Sequence, residues 1–127
     1  MSEIQQPYHY QSIKDVKGYI HEHLDKPLRR ELLASVAGFS VPHLHRIFIA
    51  STGVSMSDYI RDLRLKRAGY KLRMGAVDIT EVALAAGYQT HAAFGKAFKQ
   101  QYGLSPSEFR QLTCREATQR LMKGTKC

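Results

Sequence analysis

The chain contains one pattern twice, and this repeat limits its fold more than any other feature. Ala37-Gly38-Phe39 matches Ala86-Gly87-Tyr88 at an offset of 49 residues. After one inserted residue the offset becomes 50, and Ser40, Leu44, Arg46 and Phe48 pair with Thr90, Phe94, Lys96 and Phe98. Gly53, Ser55 and Tyr59 then pair with Gly103, Ser105 and Phe109. Each copy reads as a short helix, an Ala-Gly-aromatic turn, a capped helix, a glycine and a serine-led helix. A helix, a short glycine-containing turn and a second helix make a helix-turn-helix unit.

Helical spacing runs through the remainder, so the expected class is all-α. Ile13, Val16, Ile20 and Leu24 predict a helix over 12–24, capped by Ser12 and stopped before Pro27. Leu32, Leu33, Val36 and Ala37 predict a short helix closed by Gly38, and a third follows over about 41–51, ended by Gly53. Residues 55–74 read as one long helix stopped at Gly75, with Gly69 its one interior breaker. Thr80 then caps a helix to Ala86, Thr90 caps another to Gln101, and Ser105-Pro106 opens a last one through Leu112. That makes about seven helices: a first helix-turn-helix subdomain over 8–54, a linker helix over 55–75, a second subdomain over 76–112 and a tail over 113–127. The tail reads equally as helix or frayed end.

On a wheel advancing about 100° per residue, Leu44, Ile47, Phe48 and Ser51 share one side of the third helix. Pro42, His45, Arg46 and Ile49 fall opposite, with His43 and Ala50 at the flank. The second helix of such a unit enters the major groove of DNA, its N-terminal half nearest the base edges. Arginine can donate two hydrogen bonds to guanine O6 and N7, so Arg46 is the best candidate base reader. His45 can donate or accept there, and Pro42 can touch a thymine methyl. The second copy presents Ala92, Gly95, Lys96 and Lys99, with His91 beside the turn. Lysines and small residues suit phosphate contact and close approach better than base discrimination. An asymmetric reader is expected, with the first unit specifying sequence and the second adding affinity. Ser40 and Thr90 act as caps whose helix N-termini can also meet phosphate.

Twenty residues of linker helix span roughly 30 Å, close to the distance of about 34 Å between successive major-groove faces. Both units can therefore engage one duplex without dimerisation. Nineteen Lys+Arg against eleven Asp+Glu, a net +8, fit an anionic partner. Cys114 and Cys127 form no CxxC pair and no zinc spacing, and read as free thiols of a reducing compartment. No signal peptide or bilayer-length apolar run is present, so the expected location is cytoplasmic, on the nucleoid. His21/His23 and His43/His45 are each two apart, on opposite sides of a helix, so neither pair chelates a metal. No nucleophile elbow or Gly-rich phosphate loop points to an enzyme or a cofactor. Tyr59, Tyr88, Phe94, Phe98 and Phe109 read as core, because they recur at helical spacing and at matching positions of the repeat.

Two long stretches carry a family resemblance. DITEVALAAGYQTHAAFGKAFKQQYGLSPSEFR and FSVPHLHRIFIASTGVSMSDYIRDLRLKRA resemble the DNA-binding module of AraC/XylS-type bacterial transcription regulators, over about residues 8–112. The resemblance implies two helix-turn-helix units on a linker helix, binding to double-stranded promoter DNA as a monomer or within a larger protein, and contact with RNA polymerase. By position it places the base-reading residues on Pro42, His45 and Arg46, and on His91, Ala92, Gly95 and Lys96. Phosphate contacts then fall to Arg29, Arg30, Ser40, His43, Thr90 and Lys99. Two features depart from the family pattern. Arg29 and Arg30 replace the usual cap and apolar residue opening the second helix, and Ala92 and Gly95 stand where larger readers are usual. The spellings PHLHRIF and THAAF are most similar to members whose module precedes a GyrI-like ligand-binding domain. The chain is then expected to be either a stand-alone regulator or the DNA-binding part of a ligand-gated one. The alternative is a sequence-nonspecific basic protein that coats DNA or docks on polymerase.

Overall fold

The computed structural model describes residues 7–74, 78–112 and 114–123. All regular structure among these residues is helical: α1 (Pro7–Glu22), α2 (Arg30–Ala37), α3 (Val41–Thr52), α4 (Met56–Arg73), α5 (Ile79–Ala85), α6 (His91–Tyr102), α7 (Pro106–Arg110) and α8 (Cys114–Lys123). The chain divides into two compact units, one ending at Ile60 and the other beginning at Arg61, so the division falls inside α4.

In the first unit α1 packs on α2 and α3. Its core gathers Ile13, Val16, Ile20 and Leu24 with Leu33, Leu44, Ile47 and Phe48, all nearly or fully removed from water. Tyr59 is half-buried here, its ring edge-on to Phe48 at 5.3 Å and its hydroxyl 3.1 Å from His21 Nε2. Helix α1 opens at Pro7, five residues before the expected start, so Ser12 lies inside the helix and caps nothing. The apolar stripe continues one step backwards to His9, which is buried with its ring 5.6 Å from Phe39 and 5.8 Å from His43.

The second unit has a more aromatic core. Phe98 stands at its centre, 5.6 Å from Phe94, 4.9 Å from Tyr102 and 5.1 Å from Phe109. Leu65, Leu72 and Val82 close around it. Asp78, not Thr80, caps α5: its carboxylate accepts from the Thr80 amide at 3.1 Å. The carboxylate wins because Asp78 occupies the extended residue before the first turn, while Thr80 already has helical backbone. Helix α7 is shorter than expected, ending at Arg110, and Ser105 and Glu108 form a reciprocal capping box at its start. The described residues of the tail form α8. Ala117 and Leu121 of α8 are fully buried, and Arg73 donates to Thr118 Oγ1 at 2.7 Å. Helix α4 passes beneath α8 at Gly69, where any Cβ would overlap the Leu121 side chain. Gly75, expected to stop the long helix, lies outside the described residues.

Candidate nucleic-acid interface

The two turns of the repeat close with the same hydrogen bond. Phe39 N–H donates to Ala34 O at 3.0 Å, and Tyr88 N–H donates to Ala83 O at 3.0 Å. This six-to-one closure needs a left-handed residue just before the aromatic, supplied by Gly38 at φ 75° and Gly87 at φ 93°. The aromatic then seals the turn. Phe39 packs on His43 at 4.6 Å, and Tyr88 on Phe94 at 5.8 Å. Burial pushes the Tyr88 phenol upward in pKa, and the charges of Arg61 and Arg64 pull it partly back.

Each turn delivers the chain into a capped helix. Ser40 Oγ accepts from the His43 amide at 3.3 Å, and Thr90 Oγ1 from the Ala93 amide at 3.0 Å. In α3, Leu44, Ile47 and Phe48 are buried, while Pro42, His45, Arg46, Ile49 and Ala50 are exposed. That is the division expected from periodicity, save that Ser51 is exposed and not on the packed side. Ser51 sits in the last turn, where the neighbouring elements no longer cover the helix. In α6, Phe94, Phe98 and Tyr102 are buried, and His91, Ala92, Lys96 and Lys99 are exposed. Neither helix contains an acidic residue.

Four candidate residues lie off these two exposed faces. His43 is half-buried, its ring packed against both Phe39 and His9. Gly95 is half-buried, and a Cβ there would point at Pro106 Cδ, 3.9 Å away. Arg29 occupies the N-cap of α2 and its side chain caps nothing, so it and Arg30 extend into solvent at the end of the helix.

Sequence reasoning placed the start of α4 but not its part in the surface beside α3. Where Gly95 meets Pro106 in the second unit, the matching pair in the first is His45 and Met56, and here the two line a cleft of about 540 Å³. Its floor is Leu33, Met56 and Ile60, and its rim carries Arg30, Pro42 and His45. The repeat itself held the signal, since the offset of 50 pairs 45 with 95 and 56 with 106. No single helix among the described residues is long and apolar enough to cross a membrane.

Comparison with known proteins agrees with this geometry. Residues 33–112 match the family described as "Helix-turn-helix domain". The chain is 34% identical over 102 residues to the regulatory protein SoxS of Escherichia coli K12, covering 80% of this chain and 95% of that protein. A probable AraC family transcriptional regulator from Rhodopseudomonas palustris superposes with a TM-score of 0.73 at 27% identity, over 80% of this chain and 95% of that one. The DNA-binding domain of AdpA, a global transcriptional factor solved in complex with a target DNA, gives a TM-score of 0.71 at 27% identity, over 78% and 89% of the two chains. The chain belongs to the AraC/XylS family of DNA-binding transcription regulators.

Proposed function

We propose that the chain reads promoter DNA asymmetrically, with α3 and α6 entering successive major grooves of one duplex and with regulation exerted through RNA polymerase in the cytoplasm. The observation that carries this reading is the exposed face of α3. Pro42, His45 and Arg46 are open to solvent, opposite the buried Leu44, Ile47 and Phe48 that fix the helix in place. Arg46 takes the guanine-reading role, and His45 and Pro42 read the neighbouring steps. In the second unit His91, Ala92 and Lys96 lie along the groove, and Gly95 contributes closeness of approach. Phosphate contacts come from Arg29, Arg30 and Lys99, with the amides at the capped ends Ser40 and Thr90 and the edge of His43. One protein per duplex suffices, because each chain already carries two reading helices.

The experiment is Arg46→Ala measured against every single-base variant of a bound site. The expected loss is about 1–3 kcal/mol, concentrated at one base pair whose preference then relaxes. A small loss spread evenly over all sequences would remove Arg46 from the base-reading set.

A further inference from the structure

The cleft beside α3 is not shaped for DNA alone. Its floor of Leu33, Met56 and Ile60 is at most 8% exposed, and offers nothing to a phosphate or a polar base edge. An opening of about 540 Å³ falls within the usual range of small-molecule sites, roughly 300–1,000 Å³. Among the described residues that line it there is no carboxylate, while Arg30 and His45 stand at its rim. Glu31 Oε2 lies 4.0 Å from Arg30 Nε, at the outer limit of an ion pair, and the guanidinium has further N–H donors to offer a second anion.

We propose that this cleft binds a small amphipathic carboxylate, an apolar body bearing one anionic head, and that the bound ligand excludes DNA from α3. The body lies over Leu33, Met56 and Ile60 between the more exposed Leu28, Val41 and Pro42, and displaces water from this apolar lining. The head meets the planar fork of Arg30, whose geometry suits a carboxylate, and His45 Nε2 or Nδ1 donates from the other edge. Exclusion follows because Arg30, Pro42 and His45 serve both surfaces, and this second half rests on the reading of α3 given above. Such a ligand would act directly on the DNA-binding module and would need no separate effector domain.

The test uses the whole chain and the probe 2-naphthoate, with 2-naphthalenemethanol as its uncharged counterpart. Amide shifts are followed by two-dimensional NMR without DNA, and affinity for a labelled duplex is then measured with and without the probe. The expected result is saturable shifts at Leu33, His45, Ser57 and Ile60, with both the alcohol on the natural chain and naphthoate on Arg30→Gln binding about tenfold more weakly. Saturating naphthoate should also weaken duplex binding. Arg30 is exposed, so its replacement leaves the fold intact. No saturable shift around the cleft, or equal binding of acid and alcohol, overturns the proposal. Binding in the cleft with unchanged duplex affinity overturns the exclusion, and with it the placement of Pro42 and His45 against DNA. A chain with no sequence preference for DNA would sink the proposed function, while the naphthoate titration would still decide the cleft.

Discussion

Gly69→Ala should destabilise the natural chain or leave it unchanged, yet stabilise a chain that already carries Leu121→Ala. Leu121 is fully buried, and its side chain occupies the position that a Cβ on Gly69 would claim. Adding that methyl gains about 1 kcal/mol of helix propensity within α4, but overfilling a packed site costs about 1–3 kcal/mol. The net effect is a loss of roughly 0–2 kcal/mol. Leu121→Ala alone should cost about 2–5 kcal/mol, because α8 loses its largest buried side chain and a cavity opens over α4. In that background the methyl added by Gly69→Ala enters empty space, so only the propensity gain of about 1 kcal/mol remains. The coupling between the two sites is then about 1–3 kcal/mol, within the range measured for residues in contact. Urea unfolding of the four chains, followed by circular dichroism, reads it directly. An equal effect of Gly69→Ala in both backgrounds would mean that Leu121 does not seat over Gly69, and the placement of α8 would fail.

Two further expectations come from the second unit. The Tyr102 hydroxyl is buried with no hydrogen-bond partner among the described residues, and burial raises its pKa well above the ordinary phenol value. Tyr102→Phe should therefore leave stability unchanged or raise it by about 1 kcal/mol in urea unfolding, since only an unmet donor is removed. Glu108 has its pKa held below the ordinary 4.5 because its carboxylate accepts from the Ser105 amide in the capping box. Its contribution is fully present above that ordinary value and is lost as pH falls through the lower folded value. Glu108→Gln keeps an acceptor for the box but no titrating group, so it should flatten this part of the acid-unfolding curve, and an unchanged curve would mean that the carboxylate's charge contributes nothing.

How much could be read from the sequence depended on whether a signal was local. The Ala-Gly-aromatic turns, the caps Ser40 and Thr90 and the buried Phe94 and Phe98 were all legible, because each is set by residues within a turn of one another. The start of α1 was not. His9 extends the stripe of Ile13, Val16 and Ile20, but a polar residue hides that continuation, and its burial depends on Phe39 and His43 from distant segments. Helix α8 was undecidable for the same reason. Ala117 and Leu121 make a short apolar stripe, and what holds it is a glycine in α4 that reads on its own as a helix breaker. The face of α3 followed from periodicity alone. The cleft at its foot did not, because Met56 and Ile60 belong to the next helix and nothing local ties them to His45.

The central claim is that two unequal helix-turn-helix units read one duplex. Selection from a random duplex library, followed by titration of the selected site against scrambled DNA across a salt series, tests it most directly. The account predicts an asymmetric site spanning two major-groove faces, bound by one chain and well above nonspecific affinity at every salt concentration. Binding that falls steeply with salt and shows no sequence preference would contradict it, leaving the positive charge as the only tie to DNA.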